Sequence, residues 1–102
     1  AISRNVMVGS GDPAQIQCSI NANPVKYEGI RWEREDSQGR LNQLLDGVDG
    51  VTISVEGSGD NNITTNIHIK NVSVSKAGRI WCVASNDIGE EARRQTYLLV
   101  KR

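Results

Sequence analysis

The stretch GRIWCVASNDIG, from Gly78 to Gly89, places Trp81 directly before Cys82 in a segment of alternating character. Ile80, Cys82 and Ala84 fall at every second position, which is the period of a β-strand that buries one of its faces. Because neighbouring side chains of a strand point to opposite faces, Trp81 is predicted to point away from the side that holds Cys82. If Cys82 is in the core, Trp81 therefore lies on the outer surface of a sheet.

Other stretches of the chain alternate in the same way and are separated by Gly, Asn, Asp and Ser. The further predicted strands are AQIQCSI, GIRWERE, VTISVEG, NNITTNIHIK and RRQTYLLV, with a shorter one in LNQLL. A single turn is predicted at 74–77, and no longer segment has helical periodicity with caps at both ends. Many short alternating strands in about 100 residues are typical of a two-sheet antiparallel sandwich, so the predicted fold class is all-β.

The balance of charges narrows the classes of partner. The chain has 102 residues, with 12 basic and 12 acidic side chains and a formal net charge of zero. Nucleic acid is not expected as a main partner, because phosphate contacts need a basic face. No stretch approaches the roughly 20 apolar residues of a membrane-spanning helix, so direct membrane insertion is not expected. The length fits one domain, residues 1–102, which we expect to belong to a larger multidomain protein.

The two cysteines lie far apart in sequence, and each occupies the apolar face of a predicted strand. One interpretation is a disulfide from Cys18 to Cys82 that joins two packed sheets, with Trp32 as the core tryptophan beside it. Closing a loop of roughly 65 residues would stabilise the fold by about 4 kcal/mol in the chain-entropy model. The alternative is a pair of buried free thiols, as a reducing compartment would give.

These residues resemble the immunoglobulin superfamily, and its I-set in particular. AGRIWCVASNDIG is similar to the strand F signature of that family, NIHIKNV to its strand E motif and IRW to its strand C. The resemblance covers almost the whole chain and implies an immunoglobulin-like (I-set) sandwich with one inter-sheet disulfide. The matching strand F positions are Ala77, Gly78, Cys82, Ala84, Asn86 and Gly89.

Two positions depart from the family pattern. Ile80 stands where the family usually has a tyrosine, and Lys76 stands where it usually has an aspartate. The tyrosine corner, with its hydrogen bond to the backbone, is therefore expected to be missing. We expect the corner between strands E and F to be less constrained than usual.

No catalytic or metal-binding motif is present, so neither enzyme activity nor a cofactor is expected. The single histidine, His68, is predicted to point outward from its strand. The stretch DGVDG at 46–50 lacks the ligand spacing of a calcium loop and is predicted to be a turn. Asn62 and Asn71 each begin an N-x-Ser/Thr sequence and are candidate N-glycosylation acceptors.

The resemblance implies that strands C, F and G share a sheet, and alternation then gives its outer face. Trp, Tyr and Arg are enriched in binding hot spots, so we expect this face to form an interface, with Trp81 substantially exposed. The alternative is that Arg31 or Arg93 stacks on Trp81 and only stabilises the domain. The candidate interface residues are Arg31, Glu33, Arg79, Trp81, Val83, Arg93, Tyr97 and Leu99.

The resemblance implies a non-catalytic extracellular module that recognises another protein, for example a like immunoglobulin domain. Its parent would be a cell-surface receptor, an adhesion protein or a matrix protein. The alternative is an intracellular (sarcomeric, cytoplasmic) structural domain of a muscle-type array, a spacer or docking site with reduced cysteines. A sulfated glycan is a further partner class, because the last strand is basic. The basic residues there are Arg93, Arg94, Lys101 and Arg102.

Overall fold

The computed structural model describes residue 2 and residues 4–21, 29–57, 62–85 and 91–101. Within these ranges the chain forms eight β-strands and a short 3-10 helix over Val74–Lys76, where the sequence predicts a single turn. The strands are β1 (Val6–Gly9), β2 (Ala14–Asn21), β3 (Ile30–Glu35), β4 (Leu41–Leu44), β5 (Val51–Gly57), β6 (Asn62–Ile69), β7 (Gly78–Ser85) and β8 (Glu91–Lys101).

The strands form two sheets. The larger sheet has the order β1-β8-β7-β3-β4, and the smaller sheet has the order β2-β6-β5. Neighbouring strands are antiparallel in both sheets, except that β1 runs parallel to β8. The predicted all-β, two-sheet sandwich is therefore confirmed, with one parallel pair at the edge of the larger sheet.

Strand β1 was missed by the sequence analysis. It has only four residues, VMVG, so its alternation is too short to stand out from the surrounding turn residues. Val6 and Val8 pack against the core, while Met7 between them points outward and is 64% exposed. The strand exists because β8 offers a partner edge, which places Met7 opposite Leu99.

The core lies between the sheets and is filled mainly by branched aliphatic side chains. Every second residue of β2 and β6 is buried, as the alternation predicts. The same holds at the centre of β7, where Ile80, Cys82 and Ala84 face the smaller sheet. The largest fully buried side chains include Trp32, Ile16, Ile20, Ile63, Ile67, Ile80 and Leu98.

A disulfide joins Cys18 of β2 to Cys82 of β7 and so connects the two sheets, as predicted, with the Cα atoms 6.5 Å apart. Trp32 is fully buried and lies opposite Cys82 in the β3–β7 register. Its indole N–H donates to the Thr65 hydroxyl at 3.0 Å, and that hydroxyl donates in turn to the Ser54 carbonyl at 2.9 Å. A buried donor without a partner would cost about 1–3 kcal/mol, and Thr65 removes that cost.

The corner before β7 is held by a contact that the sequence analysis did not anticipate. Ile80 is buried where the family has tyrosine, so it supplies no hydroxyl. The Arg34 guanidinium instead donates to the Ala77 carbonyl at 2.9 Å. Gly78 has a φ of 147°, and a Cβ there would lie 2.8 Å from the Glu35 carbonyl oxygen. The tyrosine hydroxyl is therefore missing, as expected, and an arginine from β3 supplies a hydrogen bond to the corner in its place.

Candidate protein-binding face

The outer face of the larger sheet is built from cross-strand rows of side chains, and we call it the charged face. Trp81 of β7 lies opposite Glu33 of β3 and Gln95 of β8. The row on one side holds Glu35, Arg79 and Tyr97, and the row on the other holds Arg31, Val83 and Arg93. The three strands thus bring together residues separated by about 60 positions in the sequence.

Four charged side chains of this face form a closed ring of ion pairs. Arg31 contacts Glu91 at 2.8 Å and Glu33 at 3.5 Å. Arg93 contacts Glu33 at 3.1 Å and Glu91 at 3.3 Å. The ring spans β7 at Val83, the residue that lies opposite both arginines. The Arg31 hydrogen bond is the main cause of a lowered pKa at Glu91, and the Glu91 carboxylate raises the pKa of Arg31.

Two guanidinium groups lie within cation–π distance of the Trp81 ring. The Arg93 guanidinium carbon lies 4.9 Å from the Trp81 ring centroid, and that of Arg79 lies 5.8 Å away. Arg79 also lies 5.3 Å from the Tyr97 ring and donates to the Tyr97 hydroxyl at 2.8 Å. The Trp81 indole N–H donates to Glu35 at 3.2 Å. Both the Trp81 ring and its indole N–H therefore already make contacts within the domain.

Two sequence-based expectations about this face need correction. Trp81 is on the outer face, as predicted, but it is half-buried rather than substantially exposed. Val83 is fully buried, although it also belongs to the outer face and is not part of the core between the sheets. The cause is the same for both: long charged side chains of the neighbouring residues lie beside them and exclude water.

Three exposed apolar side chains lie at the β1–β8 edge of the face, and we call them the edge patch: Met7, Tyr97 and Leu99. They are 64%, 39% and 41% exposed, respectively. Tyr97 and Leu99 were predicted from the sequence, and Met7 was missed along with β1. The only signal for Met7 was the short alternation of Val6 and Val8 around it. A groove of roughly 330 Å³ adjoins Tyr97 and is bounded by residues 35–37 and 77–79.

The basic end of β8 is only partly available for an anionic partner. Arg93 is paired with Glu33 and Glu91, so its charge is balanced within the charged face. Arg94 is exposed and donates to the Arg93 carbonyl at 2.9 Å, and Lys101 is exposed. Arg102 lies outside the described residues.

The described residues contain no group of three or more His, Cys, Asp or Glu side chains arranged to hold a metal ion. The DGVDG segment is a turn in which the Asp46 carboxylate accepts the Ile53 backbone N–H at 2.8 Å. His68 is half-buried on the outer side of β6. Among the helices of the described ranges, none has the length and apolar character to cross a membrane.

Comparison with known proteins assigns the fold to a family. A family model described as an immunoglobulin domain matches residues 2–86. This chain belongs to the immunoglobulin domain family. Its sandwich, its disulfide and its buried Trp32 are the features that the sequence resemblance implied.

The immunoglobulin domain is similar to one segment of nephrin. Identity is 31% over 96 residues with nephrin of Mus musculus and 30% over 95 residues with nephrin of Rattus norvegicus. These alignments cover 92% of this chain, and the chain spans about 7% of the length of these relatives.

Solved structures share the fold at lower sequence identity. The titin M3 domain superposes with a TM-score of 0.65 at 19% identity, covering 100% of this chain and 96% of that chain. The N-terminal eight immunoglobulin domains of Down Syndrome Cell Adhesion Molecule give a TM-score of 0.77 at 18% identity, covering 98% of this chain and 12% of that one. At these identities the likeness concerns the fold alone.

Proposed function

We propose that this immunoglobulin domain, of the I-set type, is a non-catalytic protein-recognition module of a larger protein at the cell surface or outside the cell. Family membership supports the role of a binding module, as does the similarity to nephrin over 92% of the chain. The Cys18–Cys82 disulfide supports an oxidising compartment, because disulfides persist there and are rare in the cytosol.

The observation that carries the proposal is the edge patch beside the charged face. Tyr97, Leu99 and Met7 present exposed apolar surface next to a rim of paired charges, and such a combination marks contact sites. Trp81 takes a supporting role, since its stacking with Arg79 and the Arg79–Tyr97 contacts hold the tyrosine in place. A partner would then meet Tyr97 in a fixed orientation, which lowers the entropy cost of binding.

The partner proposed is a second immunoglobulin domain with the same face, in the simplest case a second copy of this chain. At its centre the charged face holds three arginines and three glutamates in mutual contact, and these six charges balance. Two copies can therefore approach face to face without like-charge repulsion. A two-fold arrangement would also bring the two edge patches together, since an isologous interface uses the same surface on both subunits.

The test is self-association of the chain measured by sedimentation over a range of concentrations. Leu99→Asp should weaken dimerisation by about 2 kcal/mol or more, which is roughly a 30-fold change in Kd. Leu45→Asp is the matched control, because Leu45 is 50% exposed but belongs to the β4–β5 connection rather than to the edge patch. Equal dimerisation in wild type and Leu99→Asp, or no association at millimolar concentration, would rule out the second copy as the partner.

The oxidation state of the two cysteines distinguishes the intracellular alternative from this proposal. We expect the intact mass of the native protein to show both thiols oxidised, with no alkylation before reduction. Replacing Cys18 and Cys82 by Ala should lower the free energy of unfolding by roughly 2–5 kcal/mol. Two freely alkylated thiols in native protein, together with unchanged stability in the double variant, would favour a spacer domain of a reducing compartment.

A further inference from the structure

The two outer faces of the sandwich differ in their chemistry. The outward positions of β2, β5 and β6, which we call the neutral face, carry Gln, Ser, Thr, Asn and His side chains. Among the described side chains of this face, Glu56 is the only Asp, Glu, Lys or Arg. By contrast, the charged face holds at least six such groups in ion pairs. The neutral face is therefore rich in hydroxyl and amide groups and poor in charge.

Asn62 lies on this neutral face and starts the sequence Asn62-Ile63-Thr64. It is the first residue of β6, the central strand of the smaller sheet, and its side chain is exposed. Alternation along β6 puts Asn62 on the same side as Thr64 and His68, whereas Ile63 is buried. Asn is depleted in strands, so the extended backbone gives no reason for an asparagine at this position.

Asn71, the second candidate acceptor, has a structural reason to be asparagine. Its φ is 50°, a left-handed conformation that Asn tolerates better than most residues. The turn is tied down by the Val72 N–H, which donates to the Asp12 carbonyl at 2.9 Å. Ser73, the residue that completes this sequence, precedes the 3-10 helix, but its side chain makes no capping hydrogen bond. The asparagine at 71 is thus explained by the fold, and the asparagine at 62 is not. Thr64 is β-branched and suits its strand position, so only the asparagines distinguish the two sequences.

We propose that Asn62 carries an N-linked glycan and that this glycan lies along the neutral face. The inference rests on the proposed extracellular function, since the acceptor must enter the secretory pathway. In the transfer, the Asn62 amide nitrogen forms a bond to the anomeric carbon of an oligosaccharide that is linked to a lipid diphosphate. The bond from that carbon to the diphosphate breaks, the lipid diphosphate leaves, and the amide nitrogen loses one proton. No oxidant or reductant takes part.

The glycan and the neutral face have matching hydrogen-bonding groups. Sugar hydroxyl and acetamido groups are neutral donors and acceptors, as are the Ser, Thr, Asn and Gln side chains of the neutral face. Covering such a face replaces hydrogen bonds to water with hydrogen bonds to sugar, whereas covering the charged face would desolvate ion pairs. The glycan would thus occupy one side of the sandwich and leave the charged face and the edge patch open to protein.

The first experiment locates the modification. The 102-residue chain is secreted from mammalian cells behind a cleavable signal, and its glycopeptides are mapped by mass spectrometry before and after peptide N-glycosidase. We expect the glycan at Asn62, its loss in Asn62→Gln and Thr64→Ala, and its retention in Thr64→Ser. Asn66→Gln is the matched control, because Asn66 lies on the same side of β6 but is not followed by an acceptor sequence. Secreted protein without sugar at Asn62 would overturn the proposal.

The second experiment tests where the sugar lies. His68 is the only histidine and sits on the neutral face about 20 Å along β6 from Asn62, which an oligosaccharide of several units can span. Its modification by diethyl pyrocarbonate should be slower in the glycosylated chain than after trimming to a single N-acetylglucosamine. Equal rates would show that the sugar extends into solvent and would overturn the covering role.

The two proposals fail in different ways. Secreted chain with an intact disulfide and an unmodified Asn62 contradicts the glycan and leaves the recognition module untouched. Freely reactive cysteines in the native protein contradict the extracellular function itself, whatever happens to Asn62 in a secretory host.

Discussion

Replacing Trp81 by alanine tests whether the arginines of the charged face stabilise the domain. The change removes two cation–π contacts, each worth about 0.5–1 kcal/mol where solvent has access. It also removes the half-exposed hydrogen bond to Glu35, worth about 0.5–1 kcal/mol net. We therefore expect Trp81→Ala to lower the free energy of unfolding by about 2 kcal/mol.

The assay is urea denaturation with the disulfide intact, followed by tryptophan fluorescence. The chain has two tryptophans, so Trp81→Ala leaves Trp32 as the only reporter, and Trp32 is fully buried in the folded state. Gln95→Ala is the matched control, because Gln95 lies beside Trp81 in the β7–β8 register, is exposed, and should change stability by less than about 0.5 kcal/mol.

A double-mutant cycle with Arg93→Ala isolates the stacking contribution. We expect a coupling energy of about 0.5–1 kcal/mol between Arg93 and Trp81. If Trp81→Ala costs no more than Gln95→Ala and the coupling is zero, then the guanidinium groups cover the indole without stabilising it. In that case the contacts of Trp81 within the domain would contribute no stability, and Trp81 would again be the leading candidate for a partner contact.

Three further outcomes follow from the packing. Ile80→Ala should lower the free energy of unfolding by roughly 2–5 kcal/mol and Ile80→Val by about 0.5–1.5 kcal/mol in the same urea assay, because both remove buried atoms. A cost below about 0.5 kcal/mol for Ile80→Ala would mean that Ile80 is not in the core. Arg34→Met keeps the aliphatic stem but loses the charged hydrogen bond to the Ala77 carbonyl, so we expect a cost of about 1.5–3 kcal/mol, and a neutral result would show that the corner needs no donor. The hydrogen bond from Arg31 lowers the pKa of Glu91 below its ordinary value of 4.5, so the resulting stabilisation is present above pH 4.5 and is lost as the pH falls through the lowered pKa. As the pH is lowered below 4.5, the urea concentration at the unfolding midpoint should therefore decrease, and it should decrease less steeply in Glu91→Gln than in wild type. Equal slopes of midpoint against pH in the two proteins would contradict the ion-pair ring.

The sequence predicted which residues belong to the candidate site, but it did not predict how exposed each side chain is. Alternation assigns a side chain to one face of its own strand, and that assignment holds for Trp81, Tyr97 and Leu99. Alternation carries no information about which side chains of neighbouring strands cover that side chain. Val83 was therefore expected to be exposed, although the ring of ion pairs leaves it no contact with water.

The sequence by itself determined the strands that alternate over six or more residues and their inward faces, and it placed Cys18 and Cys82 on those faces. Burying one face of a strand requires an apolar residue at every second position, so residues close together in the sequence are enough to specify these strands. Only the tertiary structure decided that β1 pairs with β8, that Arg34 holds the corner before β7, and that arginines enclose Trp81. Each of these depends on partners brought together across strands distant in sequence, and a local period of two residues cannot specify such partners.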